Sequence, residues 1–125
     1  MFSLIAPQHI HTIEIEPTTF CNAGCPYCSR HKPGTSDVIE DLALEHLPIH
    51  LLEKVKDQFD LYQGATQVNV WYCGNYGDSL MHPEFEWLYK FSSKYFKNVG
   101  VHTNGGGRTA DFWHNLGIIS KNRGS

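Results

Sequence analysis

Cys21, Cys25 and Cys28 fall in one short run, Cys-Asn-Ala-Gly-Cys-Pro-Tyr-Cys. Thiolates are soft ligands that suit iron and zinc. Three of them on one loop can hold three irons of a cubane cluster, leaving the fourth iron without a nearby protein ligand. An open iron is a place for chemistry, whereas a fully ligated cluster mostly carries electrons. The residues alone leave structural zinc and unligated thiols open, although zinc prefers four ligands, usually from paired CxxC or His knuckles. Cys73 stands far along the chain and reads as a small buried thiol ending a strand, with a fourth-ligand role as the alternative. A thioredoxin-like role for Cys25 and Cys28 leaves Cys21 unexplained.

These thiols need a frame, and the sequence repeats one unit that supplies it: a short β-branched strand, a polar or Gly-rich loop, then an amphipathic helix. The alternation predicts strands near 11–16, 67–72 and 99–103, with the cysteine loop over 17–36. Val68, Val70 and Tyr72 share one face of the second strand. Residues 41–47 read as a turn of helix, Pro48 as the first helical position before the stripe Leu51, Leu52, Val55 and Phe59, and Pro83 as the opening of a second helix. Thr109 reads as the N-cap of a short third helix that stops at Gly117. The spacing predicts an α/β fold of three βα units on a parallel sheet. Each chemically interesting segment then follows a strand, where ligands bind in such folds.

Composition bounds the rest. The chain has 125 residues, 41% hydrophobic and 13% aromatic, enough for one packed domain over 1–125. A formal charge of −3 and no Lys/Arg run argue against a nucleic-acid surface. No apolar run reaches membrane-spanning length, and the first residues do not read as a signal peptide, so a cytoplasmic chain without membrane association is expected. In that setting cysteines serve metals or catalysis more often than disulfides. The histidines show no metal-ligand spacing, His102 reads as core or pocket, the three tryptophans read as core, and Arg30 reads as solvated.

The CxxxCxxC spacing, with Thr-Thr-Phe-Cys-Asn at 18–22 and Tyr27 before the last Cys, resembles the cluster loop of the radical S-adenosylmethionine (SAM) superfamily. Gly77-Asp78-Ser79-Leu80 resembles the family's Gly-Gly-Glu-Pro segment, with Asp in place of Glu, and Thr103-Asn104-Gly105 and His82-Pro83 follow its idiom. The resemblance implies a [4Fe–4S] cluster on Cys21, Cys25 and Cys28, with SAM on the open iron and reductive cleavage to a 5′-deoxyadenosyl radical. It places Tyr27 beside the adenine, Gly77 at the methionine end, Asp78 on the SAM ammonium and Asn104 within reach of the cofactor. Plainer roles stand beside these: packing for Tyr27, a loop cap for Asp78, a turn for Asn104.

The family core is a partial (βα)6 TIM-like barrel, and this chain shows half of it. The resemblance therefore implies a need for a complementary half or a homodimer, and for an electron donor, and it leaves open whether the chain acts alone. The substrate is not legible. A non-catalytic iron–sulfur or interaction module is the alternative reading.

Overall fold

The computed structural model describes residues 5–123, with the side chain of Arg123 left out. Three parallel strands, β1 (Thr12–Ile15), β2 (Asn69–Tyr72) and β3 (Val99–Val101), form one sheet in the order β1-β2-β3. Three α-helices alternate with them: α1 (His50–Asp60), α2 (Phe85–Tyr95) and α3 (Ala110–Arg123). This is an α/β fold of three βα units, and its open sheet fits part of a barrel. Among the described residues no helix is long and apolar enough to cross a membrane.

The alternation within each strand decides which face is covered. Val68, Val70 and Tyr72 are fully buried and join Leu52, Phe85 and Leu88 in the core, with Ile13, Ile15, Val99 and Val101 packed against it. Burying a side chain of this size contributes about 1.5–3 kcal/mol, so the β2 face and the stripes of α1 and α2 dominate the stability. The Tyr72 hydroxyl, 2.6 Å from Ser92 Oγ and 3.2 Å from the Leu88 carbonyl, ties β2 to α2. The opposite face carries Thr12 and Glu14 on β1 and Trp71 on β2, all exposed.

Several expected boundaries move, each for a visible reason. Residues 41–47 form no helical turn; the segment runs extended against the cysteine loop. Thr19 and Glu45 exchange backbone and hydroxyl hydrogen bonds, and Leu47 N–H donates to the Pro17 carbonyl at 2.7 Å. Helix α1 starts at His50 and α2 at Phe85, two residues after the prolines expected to open them. The third strand ends at Val101 because Thr103 and Asn104 turn inward to bond Asp78. Thr109 caps α3 as expected, its hydroxyl accepting from Phe112 N–H at 3.2 Å. The helix does not stop at Gly117: Ile119 packs on the core and the Ser120 hydroxyl lies 2.6 Å from that of Tyr89, so α2 holds the extra turns.

The tryptophans are not all core. Trp87 stacks on Phe91, but Trp71 and Trp113 are each 38% exposed. Trp71 lies on the opposite face of the sheet from the core, where no helix among the described residues is packed to bury it.

Candidate functional site

The loops after β1, β2 and β3 meet over the C-terminal edge of the sheet and enclose an open cavity of about 500 Å³. Cys21, Cys25 and Cys28 line it from the first loop, Cys73, Gly77 and Asp78 from the second, and His102 and Asn104 from the third. Strand spacing and parallel direction bring these segments together, since each follows its strand at the same edge.

The cysteine loop is held from within by two buried side chains, Arg30 and His31. Arg30 is not solvated; it is 6% exposed, with Nε donating to the Thr19 carbonyl at 3.0 Å and Nη1 3.2 Å from Nε2 of buried His31. A guanidinium only donates, so Nε2 of His31 accepts and Nδ1 carries the proton it gives to the Cys25 carbonyl at 2.6 Å. The pair thereby fixes the backbone that carries the middle cysteine. No spacing rule flags it, because the partners are carbonyls on the folded loop. Arg108 does the same for the second loop, donating to the carbonyls of Leu80 and His82, both at 2.6 Å, while lying over the Phe112 ring.

Gly77 has a structural reason to be glycine. A Cβ there would fall 2.2 Å from the Thr18 carbonyl oxygen, so the second loop lies directly on the backbone of the first. Asp78 N–H donates to the Phe20 carbonyl at 2.9 Å across the same seam. The Asp78 carboxylate is 6% exposed and well used. It accepts from Leu80 N–H at 3.0 Å and Asn104 N–H at 2.8 Å, and the Thr103 hydroxyl lies 2.8 Å from both its oxygens. It is thus a cap for the Ser79–Met81 3-10 turn and a clasp between the second and third loops.

Asn104 completes the circuit. Its amide donates to Asn22 Oδ1 at 2.8 Å and approaches Cys21 Sγ at 3.9 Å, and its own Oδ1 accepts from Gly106 N–H. Gly105 and Gly107 have φ of 78° and 79°, so the expected turn forms here as well. Tyr27 is placed differently from the rest: its ring is 89% exposed and lies outside the cavity lining, so plain packing does not describe it. Cys73, expected as a buried core thiol, is half-buried on the cavity wall. Burial, then Glu14 and Glu16, push its thiol pKa up. His102 lines the cavity, which settles it as a pocket residue.

The donor set fits a thiolate-bound metal group in kind. Three cysteines share one cavity, and Cys21 Sγ has N–H donors at Ala23 (3.5 Å) and Asn104. Among the described residues no three metal-ligating side chains already stand close enough together to grip one ion.

Beside the loop, His46 joins a small aromatic stack. It lies 4.6 Å from the Phe20 ring and 5.2 Å from that of His82, with Nδ1 2.7 Å from the Thr18 hydroxyl. Burial, then the neighbouring His82, lower its pKa below the ordinary 6.5. The unfolded chain therefore binds more protons than the folded one as pH falls through and below 6.5, so stability is retained above that value and declines below it. Urea midpoints are expected to fall between pH 7.5 and 5.5, and His46→Gln is expected to flatten that dependence. An equal slope in the variant would assign the pH effect elsewhere.

Comparison of the chain with protein-family models, with curated proteins and with solved structures finds no match.

Proposed function

We propose that the chain is a radical SAM iron–sulfur protein, holding a [4Fe–4S] cluster through Cys21, Cys25 and Cys28. The observation that carries this reading is the CxxxCxxC loop itself, set on a cavity shared with the loops of Asp78 and Asn104. When bound, a cluster with an open iron supplies the electron that cleaves SAM to methionine and a 5′-deoxyadenosyl radical. The chain's own residues would do the remaining work. The Arg30–His31 pair holds the loop backbone, and Asn104 offers an N–H toward Cys21 Sγ, a type of contact that tunes a metal–thiolate site.

Gly77 and Asn104, on the cavity wall, are the residues we assign to the cofactor; Tyr27, exposed outside that wall, is assigned to the adenine by the resemblance alone. Asp78 would serve first by holding the two loops, and a SAM ammonium would have to share its carboxylate with the Leu80, Thr103 and Asn104 donors. A cytoplasmic setting, an external electron donor, and a complementary half or second copy completing the open sheet belong to this reading. The open sheet also favours the second reading, a non-catalytic iron–sulfur module.

Anaerobic reconstitution with iron and sulfide, then reduction in the presence of SAM, separates the two. Formation of 5′-deoxyadenosine is expected. A cluster without that product would favour the module, and no cluster at all would end both readings.

A further inference from the structure

The face of the sheet turned away from the helices carries a row that the proposed chemistry does not use. Glu14, Trp71 and Gly100 are register partners on β1, β2 and β3, so they lie side by side across the sheet. Neighbouring strands are about 4.8 Å apart, which sets the Glu14 stem beside the Trp71 stem on this face, with the indole leaning over β3. A Cβ at Gly100 would fall 1.6 Å from the indole ring, so the ring occupies the space a side chain would need. The indole is 38% exposed and its centre lies 6.0 Å from that of His102, at the cavity wall.

Glu14 lines the cysteine cavity and is exposed, and no hydrogen bond or ion pair engages its carboxylate among the described residues. Glu16, next on the same face, is used internally, accepting from Asn75 N–H. Among the described residues no Lys or Arg stands on this face: Thr12, Asn69, Cys73, Asn98 and His102 are its other members. Among the described residues that line the cavity the one arginine or lysine, Arg30, is buried and committed to Thr19 and His31. A carboxylate on β1 and an exposed indole leaning over β3, on one face of the sheet, together suit a cationic side chain long enough to lie across β2. Among the described residues Lys54 borders Glu14 at the β1 edge, and no ion pair joins the two.

We infer that the Glu14–Trp71 row binds a lysine or arginine side chain of a polypeptide substrate presented to the cysteine-lined cavity. The inference rests on the function proposed above. The choice of a polypeptide follows from the openness of the face. Sites for small molecules bury most of the ligand, whereas a side chain tethered to a longer chain brings further contact surface with it.

The test uses the full chain free of iron and SAM. The indole N–H signals of Trp71, Trp87 and Trp113, assigned by single Trp→Phe variants, are followed by NMR during titration with acetyl-Gly-Gly-Arg-Gly-Gly-amide and its citrulline counterpart. The arginine peptide is expected to shift the Trp71 signal saturably, and the neutral isostere to bind about fivefold more weakly. Glu14→Lys is expected to weaken arginine binding about tenfold, and Glu14→Gln, nearly isosteric, about threefold. Equal titration by both peptides, shifts confined to Trp87 or Trp113, or indifference to both Glu14 variants would each overturn the inference. So would a Glu14-dependent Trp71 shift produced by SAM but not by the arginine peptide. Failure of cluster reconstitution would remove the functional reading while leaving the titration interpretable. Absence of arginine-selective binding, in a chain that does cleave SAM, would remove this inference alone.

Discussion

Cys25→Ala is expected to lower iron and sulfide after anaerobic reconstitution to about a tenth of the wild-type content or less, and Cys21→Ala and Cys28→Ala to do the same. A cluster with three protein ligands has no spare donor, so the loss of one thiolate leaves two irons without protein ligands. Cys73→Ala is the informative control. Its thiol lies on the same cavity wall, and burial together with Glu14 and Glu16 holds its pKa up, which favours the protonated form over the thiolate a metal needs. Full iron content and an unchanged visible spectrum are therefore expected in that variant. Loss of the whole cluster on Cys73→Ala would instead mean a closed four-thiolate site, and the open-iron reading would fall. Far-UV circular dichroism on each variant separates ligand loss from unfolding.

Asp78→Ala is expected to cost about 3 kcal/mol of stability, since hydrogen bonds to a charged acceptor contribute about 1.5–3 kcal/mol each and do not add fully. Three groups lose their acceptor at once: Leu80 N–H, Asn104 N–H and the Thr103 hydroxyl. For a domain of this size that is a drop of roughly 15 °C in Tm. Thr103→Val removes one of the three and is expected to cost about 1 kcal/mol. Calorimetry on the two variants and the wild type measures both. An Asp78→Ala protein that melts like wild type would contradict the clasp. If that same protein reconstituted a cluster but lost SAM binding, the carboxylate would belong to the cofactor rather than to the loops.

The fold was legible because its signals are local. Alternating β-branched residues at 12–15 and 68–72 can bury only one face, and the helical stripes at 51–59 and 85–88 match it, so strand and helix identity follow from periodicity. The cysteine triplet was legible for the same reason: its ligands lie within one loop. What escaped depended on partners distant in sequence. Residues 41–47 have helix-compatible composition, yet Thr18 and Thr19 capture them as an extended arm. Arg30 looks like any surface arginine until the Thr19 carbonyl and His31 close around it. Gly117 looks like a stop signal until α2 offers α3 a surface to continue along.

By itself, then, the sequence determined the class of fold, the strand order of events along the chain and the three thiols, because each rests on interactions within a few residues. The tertiary structure alone decided which groups share a cavity. It added Cys73, His102 and Glu14 to the wall, left Tyr27 outside it, and turned Asp78 from a lone acid into a clasp between two loops. It also left the Trp71 face of the sheet without a covering helix among the described residues. The physical reason is that burial, hydrogen-bond partners and unpaired charge belong to the packed arrangement of three loops and three strands, and no single stretch of chain carries them.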